Sequence, residues 1–302
     1  MVKSDVHFKR EMVERASLFP QGFFMSILQS ILLGALQGLA EFLPISSSGH
    51  LAIAQKLFGL EDLPLLFDVF LHLATLCAVV LFFWKKIWKL LCTFARLVFR
   101  RPAPEGISEA EEKDSRSYIL AVILTTLVTG VIGIAVEKLL PSLSIKFVCA
   151  GFIVTAGLLI ISAIIAKRQK LQKAEGSEKK APSKVQALII GLAQGFGTLP
   201  GISRSGSTIA GALSCGVNRQ VAGEYSFIAS IPAILGAFIL EAKDLGEVSS
   251  SIGIAPVVVG CVTAFAVGYL SLALLMKIIK KGKLEWFACY LIPAGILGLL
   301  FL

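Results

Sequence analysis

The chain has few charged residues for its length, and this scarcity excludes an ordinary soluble domain. Charged residues make up 16% of its 302 residues and hydrophobic residues 56%, whereas soluble domains usually carry about 25% charged residues. Strand-like alternation of polar and apolar residues is also lacking. A backbone segment in lipid must satisfy its own hydrogen bonds, so without strands its apolar segments can cross a membrane only as helices. The sequence predicts an all-α polytopic membrane protein.

Paired cysteines and a signal peptide are absent as well. The six cysteines are scattered without a CxxC pair, which indicates packing residues rather than a redox or metal site. Residues 1–22 have mixed charge and lack the apolar core of a secretory signal, so we expect no processing.

Basic residues are abundant, but they are concentrated beside apolar segments. The net charge is +9, and most of the 29 Lys and Arg lie in 85–116, 167–184 and 277–283. Basic loops flanking apolar spans are typical of the cytoplasmic side of a membrane. The charge therefore predicts topology, and no nucleic-acid partner is expected.

Two segments of the chain resemble each other. Residues 37–50 read QGLAEFLPISSSGH and residues 194–207 read QGFGTLPGISRSGS. At one constant offset, Gln-Gly, Ile-Ser, Ser and Gly coincide. Each segment is followed by an acid that opens a long apolar span, Asp68 in one case and Glu224 in the other. The pattern indicates an internal repeat.

The apolar spans around the two segments have opposite predicted directions. The charge map gives the spans after the second segment the reverse order of sides, which predicts an inverted-topology repeat with the N-terminus outside. The six predicted transmembrane helices are 66–84, 118–136, 147–166, 221–241, 254–276 and 286–302. The predicted divisions are an N-terminal extension 1–22, a first repeat 23–166, a basic cytoplasmic linker 167–184 and a second repeat 185–302.

The two segments themselves are too short and broken to cross the bilayer as single helices. Stretches at 24–36, 46–58, 185–197 and 203–215 are interrupted at Pro44 and at Pro200-Gly201, and crossing takes about 20 residues. We expect two re-entrant helical hairpins, 24–58 and 185–215, with tips near mid-membrane. Irregular backbone at that depth requires burial in protein or a wet cavity.

The hairpin tips have the features of an anion site. Ser46 and Ser203 occupy N-cap positions, and helix N-termini attract anions. Arg204 lies in one tip, although an Arg in the membrane interior costs at least about 2.5 kcal/mol, and its guanidinium suits phosphate oxygens. An alternative is that Arg204 pairs with Glu41 or Glu224 to hold the two halves together.

Glu41 and His50 are the candidates for proton transfer. Glu41 could act as a general base or bind a divalent cation such as Mg or Ca, or it could only pair with Arg204. His50 shares a predicted helix face with Ser46 and Ser47, so it could activate a nucleophile or protonate a leaving group. Alternatively, it only hydrogen-bonds the other hairpin. Mainly structural roles are predicted for Asp68, His72 and Glu224.

The two motifs resemble the signatures of a known family. Residues 37–50, together with PGISRSGST at 200–208, are similar to the undecaprenyl-diphosphate phosphatases of the bacitracin-resistance type. The resemblance covers most of the chain. It implies hydrolysis of a polyprenyl diphosphate lipid, recycling of the cell-wall carrier lipid, bacitracin resistance and a multi-pass location in the bacterial inner membrane. Members are often dimeric, which leaves a homodimer open.

The resemblance also implies roles for individual residues. Many members carry Glu where this chain has Gln37, so a metal site shared by two carboxylates is weakened here and Glu41 is the remaining metal candidate. The nucleophile stays open among Ser47, His50 and water. The catalytic residues implied are Glu41, Ser47, His50 and Arg204, and the substrate-binding residues are Gln37, Ser46, Ser48, Ser203, Ser205 and Thr208.

Two other functions are compatible with parts of the pattern. A transporter or flippase of a polyprenyl phosphate lipid would share the inverted repeat and broken helices, but it has little need of a Glu, Ser, His and Arg set. A second family of membrane lipid phosphatases uses a Ser-Gly-His motif and requires another His after an Arg. No His follows Arg204 in this chain.

Overall fold

The computed structural model describes residues 25–60, 63, 65–140, 143–172, 181–241 and 253–302. The predicted extension 1–22 and much of the linker, 173–180, lie outside the described residues. The described helices are α1 (Ile27–Phe42), α2 (Ser47–Leu57), α3 (Leu65–Phe82), α4 (Trp84–Val98), α5 (Glu109–Leu139), α6 (Ile145–Gln172), α7 (Lys184–Phe196), α8 (Arg204–Ser214), α9 (Arg219–Glu241), α10 (Ile254–Lys281) and α11 (Ala288–Phe301), with a 3₁₀ turn at Leu284–Phe287.

Six helical segments are long and apolar enough to cross a membrane. They are α3, α5, α6, α9, α10 and the 3₁₀ turn with α11, and no strand occurs in the described ranges. Large apolar side chains such as Leu127, Val131 and Leu270 are exposed on these helices, as expected of surfaces that face lipid. The prediction of an all-α polytopic protein with six spans is confirmed.

A pair of short helices precedes the spans of each half, α1 with α2 in the first half and α7 with α8 in the second. Helices α2 and α8 have 11 residues each and α7 has 13, short of the roughly 20 needed to cross. The two helices of each pair pack against each other. This arrangement is consistent with re-entrant hairpins.

Helix α1 is longer at its C-terminal end than the stretch expected from the sequence. The expected end was residue 36, but α1 continues to Phe42, because no helix breaker occurs before Pro44. Leu43 then takes an extended conformation, as residues preceding proline commonly do. The extension places Gln37 and Glu41 one turn apart on the same helix.

The segment 85–116 is not the loop that its charge suggested. It contains most of α4 and the start of α5. Trp84, Trp88 and Leu91 form an exposed apolar stripe on α4, while Leu90 is buried. This spacing is helical, so the basic side chains mark the end of a span without interrupting helix formation.

The two halves pack on each other reciprocally. Helix α1 packs along α10, the second span of the second half, and α7 packs along α5, the second span of the first half. The third spans, α6 and α11, also pack together. The first spans, α3 and α9, contact each other less extensively. Gly34 lies against Gly260 and Gly38 against Gly268, so small residues allow close helix approach. The reciprocity is consistent with an inverted repeat.

Candidate active site at the hairpin tips

The tips of the two short-helix pairs meet. Ser205 Oγ on α8 donates to the carbonyl oxygen of Phe42 at the end of α1, over 3.4 Å. A Cβ placed on Gly206 would lie 3.1 Å from Pro44, so the second tip is in contact with the turn of the first. The N-termini of α2 and α8 are therefore brought to one place.

Both N-cap predictions are confirmed. Ser46 Oγ accepts from the Gly49 N–H over 3.3 Å, and Ser203 Oγ accepts from the Gly206 N–H over 3.1 Å. Ser46 has a φ of 73°, which is uncommon for a residue with a side chain and stores local strain. The other N–H groups of each first turn have no acceptor within their own helix, so they are available as donors at the junction.

The carboxylate of Glu41 is the centre of the site. Its Oε2 accepts from Ser47 Oγ over 2.7 Å and from Gln37 Nε2 over 3.1 Å. His72 Nε2 lies 3.4 Å from the same oxygen. Oε1 forms an ion pair with Arg204 Nη2. Four side chains from α1, α2, α3 and α8 thus converge on one carboxylate.

Burial decides what this cluster can do. Only 5% of the Glu41 side chain is exposed, against 19% for Arg204. One guanidinium nitrogen contacts Glu41, and because Arg carries five N–H donors, Arg204 keeps further donors for a ligand. A hydroxyl that donates to a buried carboxylate is an arrangement for activating a nucleophile. The cluster combines that pair with a cation suited to phosphate.

His50 is placed away from this cluster. Its Nδ1 donates to the Ser46 carbonyl oxygen over 2.8 Å, and its Nε2 lies 2.6 Å from Tyr290 Oη. The ring stacks on Phe152 with centroids 4.7 Å apart. In the described part of the chain neither ring nitrogen bonds to Ser47, so the geometry does not support activation of Ser47 by His50. A catalytic role for His50 stays a prediction.

The remaining predicted residues surround the tips. Ser203 Oγ and Ser205 Oγ are 3.2 Å apart. Ser46 Oγ lies 3.5 Å from the Oγ of Ser48, which is exposed. Thr208 is buried and donates to the Arg204 carbonyl oxygen over 2.6 Å. This hydrogen bond stabilises the first turn of α8. Whether these residues bind substrate stays a prediction.

The two acids expected to be structural are held by partners on other helices. Asp68 Oδ1 accepts from Gln55 Nε2 over 2.8 Å, which joins α3 to α2. Glu224 forms an ion pair with Lys86 over 2.8 Å, which joins α9 to α4. These contacts agree with the locking role that the sequence suggested.

His72 is the site residue that sequence reasoning underrated. It lies on α3, far along the chain from Glu41, yet its ring reaches that carboxylate. The available signal was its place one turn after Asp68 on a largely apolar span. Ionisable residues inside such spans usually face a cavity or the protein interior.

The oxygen donors suit a cation shared with phosphate better than one enclosed by protein. In the described ranges no three His, Cys, Asp or Glu side chains cluster to form a metal site. Gln37 Oε1 is buried without a hydrogen-bond partner, close to the carboxylate of Glu41. One carboxylate, one amide oxygen and substrate phosphates make a donor set that Mg²⁺ commonly uses, so these residues fit such an ion.

Comparison with known proteins shows the family of this chain. Residues 30–297 match the family model described as "Bacitracin resistance protein BacA". A protein named undecaprenyl-diphosphatase from Treponema denticola is 48% identical over 272 residues, which cover 90% of this chain and 96% of the relative. Proteins of that name from Desulfatibacillum aliphaticivorans and Methanosphaera stadtmanae are 40% and 37% identical, covering 90% and 91% of this chain and 98% of each relative. The chain therefore belongs to the bacitracin resistance protein BacA family.

Proposed function

We propose that this protein is a membrane phosphatase that hydrolyses undecaprenyl diphosphate to undecaprenyl phosphate and inorganic phosphate. The reaction recycles the carrier lipid of cell-wall synthesis and confers resistance to bacitracin. The observation that carries the proposal is the cluster of Ser47, Glu41 and Arg204 at the junction of two helix N-termini. The family and the names of its relatives agree with it.

The junction supplies the contacts that a diphosphate needs. Arg204 and the free N–H groups at the starts of α2 and α8 provide positive charge and hydrogen-bond donors from both halves. The prenyl chain lies along the apolar outer surface of the spans. Because the donors are fixed by two capped helices, they are preorganised for the charge that develops on the transferred phosphoryl group.

The contacts of Ser47 support a nucleophilic role for its hydroxyl. Ser47 Oγ attacks the terminal phosphorus while its proton passes to Glu41 Oε2, which lies 2.7 Å away. The bond from that phosphorus to the bridging oxygen breaks, and undecaprenyl phosphate leaves with the bridging oxygen. A water molecule then attacks the phosphoserine phosphorus, and the bond from phosphorus to Ser47 Oγ breaks. Glu41 returns its proton to Ser47 Oγ, and phosphate leaves with the oxygen and protons of the water. Arg204 offsets the charge on the phosphoryl oxygens throughout.

A divalent cation belongs to the proposal at one position. Glu41 and Gln37 Oε1 would hold it together with the diphosphate. When bound, it would neutralise part of the charge on the phosphate oxygens. The steps assigned to Ser47, Glu41 and Arg204 do not depend on it.

Location and assembly complete the proposal. We propose a location in the bacterial inner membrane, which the multi-pass fold and the carrier-lipid substrate support. A homodimer is proposed on the family resemblance alone, and light scattering of the purified protein with its detergent contribution subtracted measures it.

The decisive experiment is phosphate release from undecaprenyl diphosphate by protein purified in detergent. Wild type should release phosphate, and Ser47→Ala should lose at least about a thousandfold in kcat, as expected when a nucleophile is removed. Ser207→Ala is the matched control on α8, because the buried Ser207 hydroxyl has no hydrogen-bond partner in the described residues. It should retain wild-type activity.

Other outcomes point to specific alternatives. Release by Ser47→Ala at the wild-type rate would leave His50 or water as the attacking group, and trapping of a labelled phosphoenzyme separates the two. Binding of the lipid without any release by wild type would favour a polyprenyl phosphate transporter or flippase, a function compatible with the reciprocal packing of the two halves.

A further inference from the structure

The carboxylate proposed as the base is approached by a histidine from a third helix. His72 Nε2 on α3 lies 3.4 Å from Glu41 Oε2. Ser47 donates to this same oxygen, so the oxygen that faces the nucleophile also faces the imidazole. The oxygen Oε1, in contrast, is engaged by Arg204. His72 therefore contacts the carboxylate oxygen that would receive the proton from Ser47.

The orientation of the His72 ring is fixed from behind. Its Nδ1 lies 2.7 Å from the Asp68 carbonyl oxygen, and because a carbonyl only accepts, Nδ1 carries the proton in that bond. Nε2 is the nitrogen turned towards Glu41, and it donates to that carboxylate when the ring carries a proton on both nitrogens. Asp68 is itself tied to α2 through Gln55, and α2 also carries Ser47. The ring and the nucleophile are thus connected through one network.

Exposure distinguishes His72 from a buried packing residue. Its side chain is 29% exposed, whereas that of Glu41 is 5% exposed. Besides Ser47, Oε2 is contacted by Gln37 from within α1 and by His72 from α3, while Arg204 engages Oε1. With Oε1 fixed by the ion pair, loss of the His72 contact would let Oε2 turn away from Ser47.

We propose that His72 is a positioning residue that holds Glu41 Oε2 towards Ser47 for phosphoryl transfer. The inference rests on the proposed phosphatase function and adds a residue to it. A misplacement of a reacting group by about 1 Å costs on the order of a hundredfold in rate. The loss should appear in kcat with KM unchanged, because the residue acts on the transition state and does not bind the substrate.

Two substitutions test the contacts of the two ring nitrogens separately. His72→Gln keeps an N–H at about the reach of Nε2 and can still contact Glu41. His72→Asn keeps an N–H at about the position of Nδ1 and can still bond to the Asp68 carbonyl, but it cannot reach Glu41. Thr75→Val is the control on the same helix, because it removes only the bond to the His72 carbonyl. Wild type and the three variants are assayed with undecaprenyl diphosphate in detergent over a range of substrate concentrations.

The expected result is a loss of about a hundredfold in kcat for His72→Asn, with a much smaller loss for His72→Gln and none for Thr75→Val. Equal losses in the Asn and Gln variants, a wild-type rate in His72→Asn, or a loss confined to KM would each overturn the inference. Thermal stability measured in parallel shows whether a variant is folded, and His72→Gln tests the proposal even if His72→Asn does not fold. Absence of phosphate release by wild type would instead refute the proposed function.

Discussion

The ion pair of Glu41 and Arg204 has two roles, and removing its charges one at a time separates them. Arg204→Ala removes the cation, Glu41→Gln neutralises the carboxylate with little change of shape, and the double variant removes both charges. The pair joins α1 of the first half to α8 of the second half. It therefore contributes to stability as well as to the proposed phosphate contact.

The expected loss of stability follows from burial. Removing one partner of a buried ion pair costs about 3–5 kcal/mol, because the other charge is left uncompensated. Glu41 keeps its hydrogen bonds from Ser47 and Gln37, so we expect about 3 kcal/mol for Arg204→Ala, at the lower end of that range. At about 2 °C per kcal/mol for a chain of this size, its apparent melting temperature should fall by about 6 °C.

The double variant should recover part of this loss. Side chains in direct contact show coupling of about 0.5–3 kcal/mol, so Arg204→Ala/Glu41→Gln should melt above Arg204→Ala. Activity should behave differently. Loss of an Arg that stabilises phosphoryl transfer costs about 10³–10⁵ in rate, and the double variant should recover none of it, because the base is missing as well.

Both quantities can be measured on the same purified samples. Stability is read from the fraction of protein that remains monodisperse in size-exclusion chromatography after heating, and activity from phosphate release. Phosphate release by Arg204→Ala within tenfold of wild type, together with a lowered melting temperature, would refute the phosphate contact and leave Arg204 as a structural partner of Glu41. An unchanged melting temperature would refute the stability reasoning.

Two further predictions concern the backbone of the tips. Gly201 has a φ of 89° and a Cβ there would overlap the Val148 carbonyl, so Gly201→Ala should destabilise the protein by at least about 1–3 kcal/mol, whereas Gly157→Ala, with open space around it, should not lower the melting temperature. Ser46 has a φ of 73°, so Ser46→Ala loses the cap and keeps the strain. Ser46→Gly should therefore be about 1 kcal/mol more stable than Ser46→Ala and melt at a higher temperature. The opposite order would contradict a strained N-cap.

The spans and the tips follow from local properties of the sequence. Long apolar runs in a chain with few charges must be helical in lipid, because no other backbone structure with open ends satisfies its hydrogen bonds there. The starts of α2 and α8 are equally local, since Pro44 and Pro200-Gly201 stop helix upstream and a serine follows at the N-cap. The pairing of Arg204 with Glu41 was one of the interpretations open from the sequence.

Other features escape sequence reasoning because they depend on how helices pack. The helical stretch that the sequence predicts ends at residue 36, so it does not place Gln37 and Glu41 on one helix. Sequence neighbours alone favour His50 over His72 as a site residue. Packing reverses that ranking, because His50 turns to Tyr290 while His72 turns to Glu41.

The membrane location of the chain, the number of its crossings and the motifs that carry its polar residues follow from the sequence alone. These properties depend on segment length and on neighbouring residues along the chain. Which side chains share the carboxylate of Glu41 depends instead on how the helices pack. Ser47, His72 and Arg204 lie on three different helices, and the close approach of those helices, rather than any spacing along the chain, sets the distances between them.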